Sequence, residues 1–509
     1  MTTWVLKAAG LVAAVVCAGS TFADGPTLIA WQTKSGFVQD TTVEAVRFAE
    51  TNGFDCVRLR VDEKTDLASL FKAAGGRLDV WVEFAKPSES LAKRVLSEIE
   101  KAGLGFERVI LSSDTRWFLK ELKSKYADCR LAWPCRVDYY YPSYNWGVFG
   151  WPTGPVVCSN IEEVAAEIEK FAAAHGIWGV QLASRRFITD PKVVKHLQAK
   201  GFKVIVDEVN DPITGDYYRQ AGADALVTAL PAYTHGGSWP KGKPKKVKYI
   251  GHRGGEDYHA PQHSLAMARI AAERRLDMVK LDIHWTKDGE IVTHHDHTLK
   301  RVFGVDKMIR EHDYAELSQY EAIPVNCISN QHLATLRQIL DVVKNGVGEF
   351  WLDFKDFTPA CADKTMKIVD EAGVAHSRVM VATYSEPALA YMLEHYPDVR
   401  RVMHVTQYVK AGKWHLIYHP KMFESIDEVI DELIRRKRKY DLYGFNRPGG
   451  IYPFGTFRTE WPMVERLKKT GLWLAIYFPV DPISADYYRR AGVDAFVTGC
   501  ARACEVLGR

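Results

Sequence analysis

The chain has 509 residues, 47% of them hydrophobic and 26% charged, and a formal net charge of +4. That is the composition of an ordinary globular protein, and the length allows roughly two to four domains. The near balance of 67 basic and 63 acidic residues argues against a nucleic-acid partner or a polybasic membrane surface.

Met1–Ala23 opens with Lys7 and an apolar run from Ala8 to Ala18, and Thr21-Phe22-Ala23 offers small residues at a cleavage site. The run is too short for a comfortable bilayer span. A signal peptide over residues 1–23 is therefore expected, with a mature protein that is secreted or periplasmic and lacks a transmembrane segment. The alternative is an uncut N-terminal anchor. Apart from Cys17, the cysteines are Cys56, Cys129, Cys135, Cys158, Cys327, Cys361, Cys500 and Cys504. None has zinc-site spacing. An even number in an exported chain permits disulfides, with Cys129/Cys135 and Cys500/Cys504 the nearest pairs, and most of them read as small buried hydrophobes.

An internal repeat sets the organisation. Asp211–Thr228 (DPITGDYYRQAGADALVT) recurs 270 residues later as Asp481–Thr498 (DPISADYYRRAGVDAFVT). Earlier pairs agree: Phe54–Val61 matches Leu276–Ile283, and Trp81–Phe84 matches Trp351–Phe354. A repeat this long is a whole domain rather than a solenoid unit. The two copies, residues 26–235 and 247–509, meet at the Gly/Pro/Lys stretch Gly236–Lys246, which reads as a linker. Arg60 to Val82 spans 22 residues in the first copy, whereas Asp282 to Leu352 spans 70 in the second, so the second carries an inserted segment at about 286–334. In the first copy Tyr139–Trp151 is an aromatic loop. It suits either a sugar or lipid contact or packing between the domains, and packing is the plainer reading.

The second copy holds the ionisable motifs. Its β-rich runs Val247–Ile250, Met278–Ile283 and Glu290–Thr293 lead to His252-Arg253-Gly254, Lys280-Leu281-Asp282 and His295-Asp296. Ser264–Arg274 has helical spacing, with Ser264 as its N-cap. In βα units chemistry collects where parallel strands end. Two histidines and a carboxylate at successive ends suit acid–base work on a phosphate or acyl group. His294 and His297 read as solvated turn residues, and His259 and His263 flank Pro261 without a motif to support them.

These motifs resemble those of the glycerophosphodiester phosphodiesterases. That family shows His-Arg-Gly, Pro-Glu-Asn-Thr, Glu-x-Asp, Thr-Lys-Asp-Gly, His-Asp and a later Glu-x-Lys. The chain has, in the same order, His252-Arg253-Gly254, Pro261-Gln262-His263-Ser264, Lys280-Leu281-Asp282, Thr286-Lys287-Asp288-Gly289, His295-Asp296 and Asp353-Phe354-Lys355. The resemblance implies an α/β fold of two tandem TIM-like (β/α)8 barrels. It also implies hydrolysis of a small phosphodiester or phospholipid-derived substrate to glycerol phosphate and an alcohol. His252 and His295 would be the acid–base pair, and Arg253, Lys280 and Lys355 would bind the phosphate. Asp282 and Asp353 would hold a calcium or magnesium ion if one is bound.

Lys280 stands where the family has the first metal-binding acid. The swap changes local charge by two units, and each is worth roughly 4 kcal/mol at about 4 Å and an effective dielectric near 20. The ammonium is therefore expected to occupy or border the ion's place between the two carboxylates. The first copy has Trp31-Gln32-Thr33 for His252-Arg253-Gly254, Arg58 and Arg60 for the acid pair, and keeps only Glu83, aligned with Asp353. A structural or binding role is expected for it. For the second copy the competing reading is an inactive pseudoenzyme that binds a phosphodiester or glycan. Lys280 and Gln262 favour that reading, while His252, Arg253, Asp282, His295 and Lys355 oppose it.

Overall fold

The computed structural model describes residues 26–30, 42–75, 77–126, 129–135, 161–183, 190–209, 211–229, 236, 239–255, 260–325, 328–410, 413–448, 461–477 and 482–498. The expected leader, Trp31-Gln32-Thr33, the aromatic loop Tyr139–Trp151, His259 and the Cys500/Cys504 pair lie outside these residues.

The first copy is a closed parallel barrel of β1 (Thr27–Ala30), β2 (Cys56–Val61), β3 (Asp79–Phe84), β4 (Val109–Ser112), β5 (Arg130–Cys135), β6 (Gly179–Ala183), β7 (Lys203–Asp207) and β8 (Ala225–Thr228). Such strands are covered on both faces, by helices outside and by interdigitated side chains within, so they read as nearly continuous apolar runs. Side chains alternate between the faces. On β2 and β3, Cys56 and Trp81 join the inner cluster, while Val57, Leu59, Val80 and Val82 pack outward against the helices.

By the same alternation Arg58 points inward. Its Nε donates to Glu83 Oε2 at 3.0 Å and its Nη1 to Asp207 Oδ2 at 3.1 Å, and the guanidinium lies 5.2 Å from the Trp81 ring centre. Gln181 also donates to Asp207. The interior of this barrel thus holds a buried ion network.

The second copy repeats the plan. Its strands are β9 (Lys248–Gly251), β10 (Met278–Trp285), β11 (Ile291–Thr293), β12 (Glu349–Phe354), β13 (Val379–Thr383), β14 (Arg400–His404), β15 (Gln407–Lys410), β16 (Lys413–Leu416), β17 (Met422–Phe423), β18 (Gly444–Pro448), β19 (Trp473–Tyr477) and β20 (Ala495–Thr498). Eight of them close a parallel barrel in the order β9, β10, β12, β13, β14, β18, β19, β20, with β20 returning to β9. β15, β16 and β17 form a small separate sheet. β10 runs two residues beyond the expected Ile283, because His284 and Trp285 pair antiparallel with Val292 and Ile291 of β11. The helix Leu265–Glu273 is capped as expected, Ser264 accepting from the Met267 amide at 3.1 Å.

The inserted segment has a small core of its own, with Val292, Leu299, Phe303, Ile309, Leu317 and Leu333 packed together. The two repeat sequences become equivalent elements, the helices Pro212–Ala221 and Pro482–Ala491 each leading to the strand that closes its barrel. Trp239 stands between them, 5.9 Å from the Tyr217 ring and 5.5 Å from the Tyr487 ring.

The cysteines correct one expectation. Cys56, Cys129, Cys135 and Cys361 are all buried. Cys129 and Cys135 bracket the extended β5, and six residues at about 3.3 Å each put them far beyond the roughly 7 Å limit for a bridge. Among the described residues no helix is long and apolar enough to cross a membrane.

Candidate active site

Alternation along β10 turns Met278 inward and with it Lys280, Asp282 and His284. The β10–β12 register sets Asp282 directly against Asp353. Lys280, with no exposed surface, reaches between these two carboxylates. It pairs with Asp282 Oδ1 and lies 2.6 Å from Asp353 Oδ2. Lys355 closes the cluster from the solvent side, its Nζ 3.0 Å from Asp282 Oδ1 and 2.9 Å from Asp353 Oδ2, with 20% of its side chain exposed.

Two imidazoles complete the ring of contacts. His263 Nε2 is 2.9 Å from Asp282 Oδ2, and His404 Nε2, at the end of β14, is 3.1 Å from Asp353 Oδ2. The other nitrogen of His404, Nδ1, accepts from Asn446 Nδ2 at 2.8 Å.

Burial disfavours every charge here, yet the opposite charges outweigh it. The Lys280 pKa is raised by Asp282 and Asp353 despite desolvation. Against the same desolvation, Lys280 and Lys355 pull both aspartates well below the ordinary carboxylate value. Two carboxylates are thus matched by two ammonium groups. A divalent ion would have to displace both lysines from oxygens within about hydrogen-bonding distance of them, against repulsion of roughly 4 kcal/mol per unit charge. The residues present do not fit the calcium or magnesium ion that the family resemblance implies.

Across from this cluster stand two further histidines. His252 follows β9, and its ring centre is 6.5 Å from that of His295 and 5.6 Å from that of Tyr477. His295 Nδ1 lies 2.6 Å from Asp296 Oδ1, and Asp296 Oδ2 accepts from Arg301 Nε at 2.6 Å. A carboxylate on Nδ1 fixes the proton there and leaves Nε2 as the basic nitrogen. Burial lowers the His295 pKa and Asp296 partly opposes this.

Arg253 sits in the left-handed region at φ 51°. Its Nη1 donates to Gln262 Oε1 at 2.9 Å, while its buried Nε has no hydrogen-bond partner. Arg301 Nη1 donates to the same oxygen at 2.8 Å. The neutral amide does not cancel the charge of Arg253, for which an anion is the natural complement, whereas Arg301 is already paired with Asp296. Gly254 has φ 93° and its amide donates to Lys280 O at 2.7 Å; a Cβ there would stand 3.3 Å from the His263 backbone, which keeps this turn tight.

Two histidines depart from expectation. His294 is buried, not solvated: it packs 5.8 Å from the Phe303 ring, its Nε2 is 3.1 Å from Thr298 O, and burial lowers its pKa to about 3. His263 is part of the cluster although no motif singled it out; its place in Pro261-Gln262-His263-Ser264 was the available signal. His404 and Tyr477 carried only the weak signal of ending a strand.

Burial of His263 lowers its pKa from 6.5 to about 4, against the opposing pull of Asp282. The unfolded ring therefore takes a proton first as pH falls. Its contribution to stability is complete above pH 6.5 and is lost toward pH 4. In chemical denaturation, His263→Gln is expected to flatten the fall of the midpoint across that window; an unchanged slope would mean the ring is not held neutral.

Residues 252–499 match the model of the glycerophosphoryl diester phosphodiesterase family. The C-terminal barrel belongs to this family. Lysophospholipase D GDPD1 of Homo sapiens is 40% identical over 73 residues, 14% of this chain and 23% of its own length. The glycerophosphodiester phosphodiesterase of Bacillus subtilis is 28% identical over 97 residues, 19% of this chain and 32% of its own length. That of Caldanaerobacter subterraneus is 23% identical over 260 residues, 50% of this chain and 94% of its own length. The chain thus spans less than a third of the first two relatives and nearly all of the third.

Among solved structures, the Oleispira antarctica phosphodiesterase in complex with the product sn-glycerol-3-phosphate is 17% identical, with a TM-score of 0.41, covering 52% of this chain and 97% of that one. The glycerophosphodiester phosphodiesterase of Thermotoga maritima is 19% identical, with a TM-score of 0.37, covering 52% and 99%.

Proposed function

We propose that the C-terminal barrel hydrolyses a glycerophosphodiester to glycerol phosphate and an alcohol by acid–base catalysis between His252 and His295, without a divalent ion at Asp282 and Asp353. The observation that carries this reading is the pair of imidazoles 6.5 Å apart, facing a mouth lined by Lys355 and Arg253. That proximity lets both rings serve oxygens of one phosphate bound beside them. One imidazole takes a proton from the attacking hydroxyl or water, and the other protonates the leaving oxygen. Lys355 and Arg253 stabilise the charge that gathers on the phosphoryl oxygens. Lys280 does not reach solvent; it holds Asp282 and Asp353 and adds fixed positive charge beneath the site.

The leader-like Met1–Ala23 supports an exported protein, with the N-terminal barrel a non-catalytic partner. The second reading, a binding module, is favoured by Lys280 and by Gln262, which stand where the family has acids.

The deciding experiment incubates the purified protein with glycerophosphocholine and measures glycerol phosphate release, alongside binding of the same compound by calorimetry. Release above that of a His295→Ala control supports the hydrolase. Binding without release replaces it with the binding module.

A further inference from the structure

His284, His297 and Asp356 belong neither to the Lys280 cluster nor to the proposed catalytic pair. They come from three separate places: the end of β10, the loop after β11 and the loop after β12. One ligand atom from each lies within 4.8 Å of the other two. His284 Nδ1 is 2.8 Å from Asp356 Oδ2, and His297 Nδ1 is 3.4 Å from Asp356 Oδ1. The two rings are 5.2 Å apart and nearly perpendicular, at 80°.

The two imidazoles converge on one carboxylate: His284 Nδ1 and His297 Nδ1 face different oxygens of Asp356, and the buried His284 ring is held from its other side, where Nε2 lies 3.4 Å from the His295 carbonyl oxygen. Two imidazole nitrogens and a carboxylate brought together from three separate segments make a donor set that a metal ion can bridge.

We propose that His284, His297 and Asp356 bind a divalent ion of the zinc class, with water completing the coordination on the solvent side. Two imidazole nitrogens and one carboxylate oxygen form an open three-ligand set suited to zinc and its transition-metal neighbours. Calcium and magnesium take oxygen ligands and are poorly served here. His284 is wholly buried, while 57% of the His297 side chain and 23% of that of Asp356 are exposed, which leaves an entry path. The Nε2 contact to a carbonyl is the kind of outer partner that orients metal-binding histidines. A bound ion ties His297 to the barrel wall two residues from His295, so it positions the loop that presents the proposed catalytic ring. The site does not depend on the phosphodiesterase reading, and its test is binding rather than turnover.

Metal-stripped full-length protein is titrated with zinc by calorimetry and with cobalt by visible absorption, beside His297→Ala and Asp356→Asn. The expected result is one equivalent bound by wild type, with a tetrahedral or five-coordinate cobalt spectrum, and affinity at least about tenfold weaker in both variants. Thermal unfolding without metal checks that each variant is folded; His297 is exposed enough for its alanine form to keep the fold. Absence of binding by wild type, or affinity retained by either variant, overturns the proposal.

Discussion

Lys280→Glu is expected to turn a protein indifferent to calcium into one that needs it. In wild type the cluster holds two carboxylates, Asp282 and Asp353, against two ammonium groups, Lys280 and Lys355. The substitution leaves three carboxylates facing one ammonium in a buried pocket. Breaking a buried pair typically costs about 3–5 kcal/mol, because a charge is left without its partner. The metal-free variant should therefore unfold at clearly lower denaturant than wild type. Calcium, an ion that takes oxygen ligands, should restore most of the loss.

Wild type should gain nothing from calcium in either stability or glycerophosphodiester turnover, since its two ammonium groups already neutralise the oxygens. Lys280→Met is the control: it breaks the same pair but offers no third carboxylate, so it should be destabilised and respond less to calcium. The idea fails if metal-stripped wild type recovers activity only with calcium, or if calcium stabilises wild type as much as the glutamate variant.

Alanine at His252 or at His295 is expected to lower turnover about 10²–10⁴-fold with little change in folding, the usual scale for removing a positioned general acid or base. The double variant should be scarcely slower than either single one, because residues acting as a unit are not additive. Asp296→Asn should cost less than His295→Ala, since the ring remains and only its orientation and tautomer loosen. Steady-state kinetics with circular dichroism as a fold check would decide. Near-wild-type turnover in either alanine variant would remove that ring from the chemistry.

Much of this architecture was legible in the sequence, for reasons tied to particular residues. The Asp211–Thr228 and Asp481–Thr498 copies announced a duplicated domain, because a helix and a closing strand must carry the same turn and core residues wherever that unit is built. His252 and Asp282 stood out because catalytic groups gather where parallel strands end, and His295 through its His-Asp motif, although the strand before it runs antiparallel to β10. Lys280 could be placed on the Asp282 face by the two-residue period of a strand alone.

The partners were a different matter. Whether Lys280 meets one carboxylate or two depends on the β10–β12 register, which sets Asp282 against Asp353 across 71 residues of chain. His404 reaches Asp353 only because the barrel closes β14 around the same mouth. His263 turns to Asp282, and His294 turns into the core, through local backbone and packing that no linear pattern records. The sequence by itself determined the duplicated α/β plan and the candidate groups at the strand ends, since both depend on local periodicity and short motifs. Only the tertiary structure decided which charges neutralise one another and which imidazoles face the mouth, because those pairings depend on how the strands are staggered when the sheet closes.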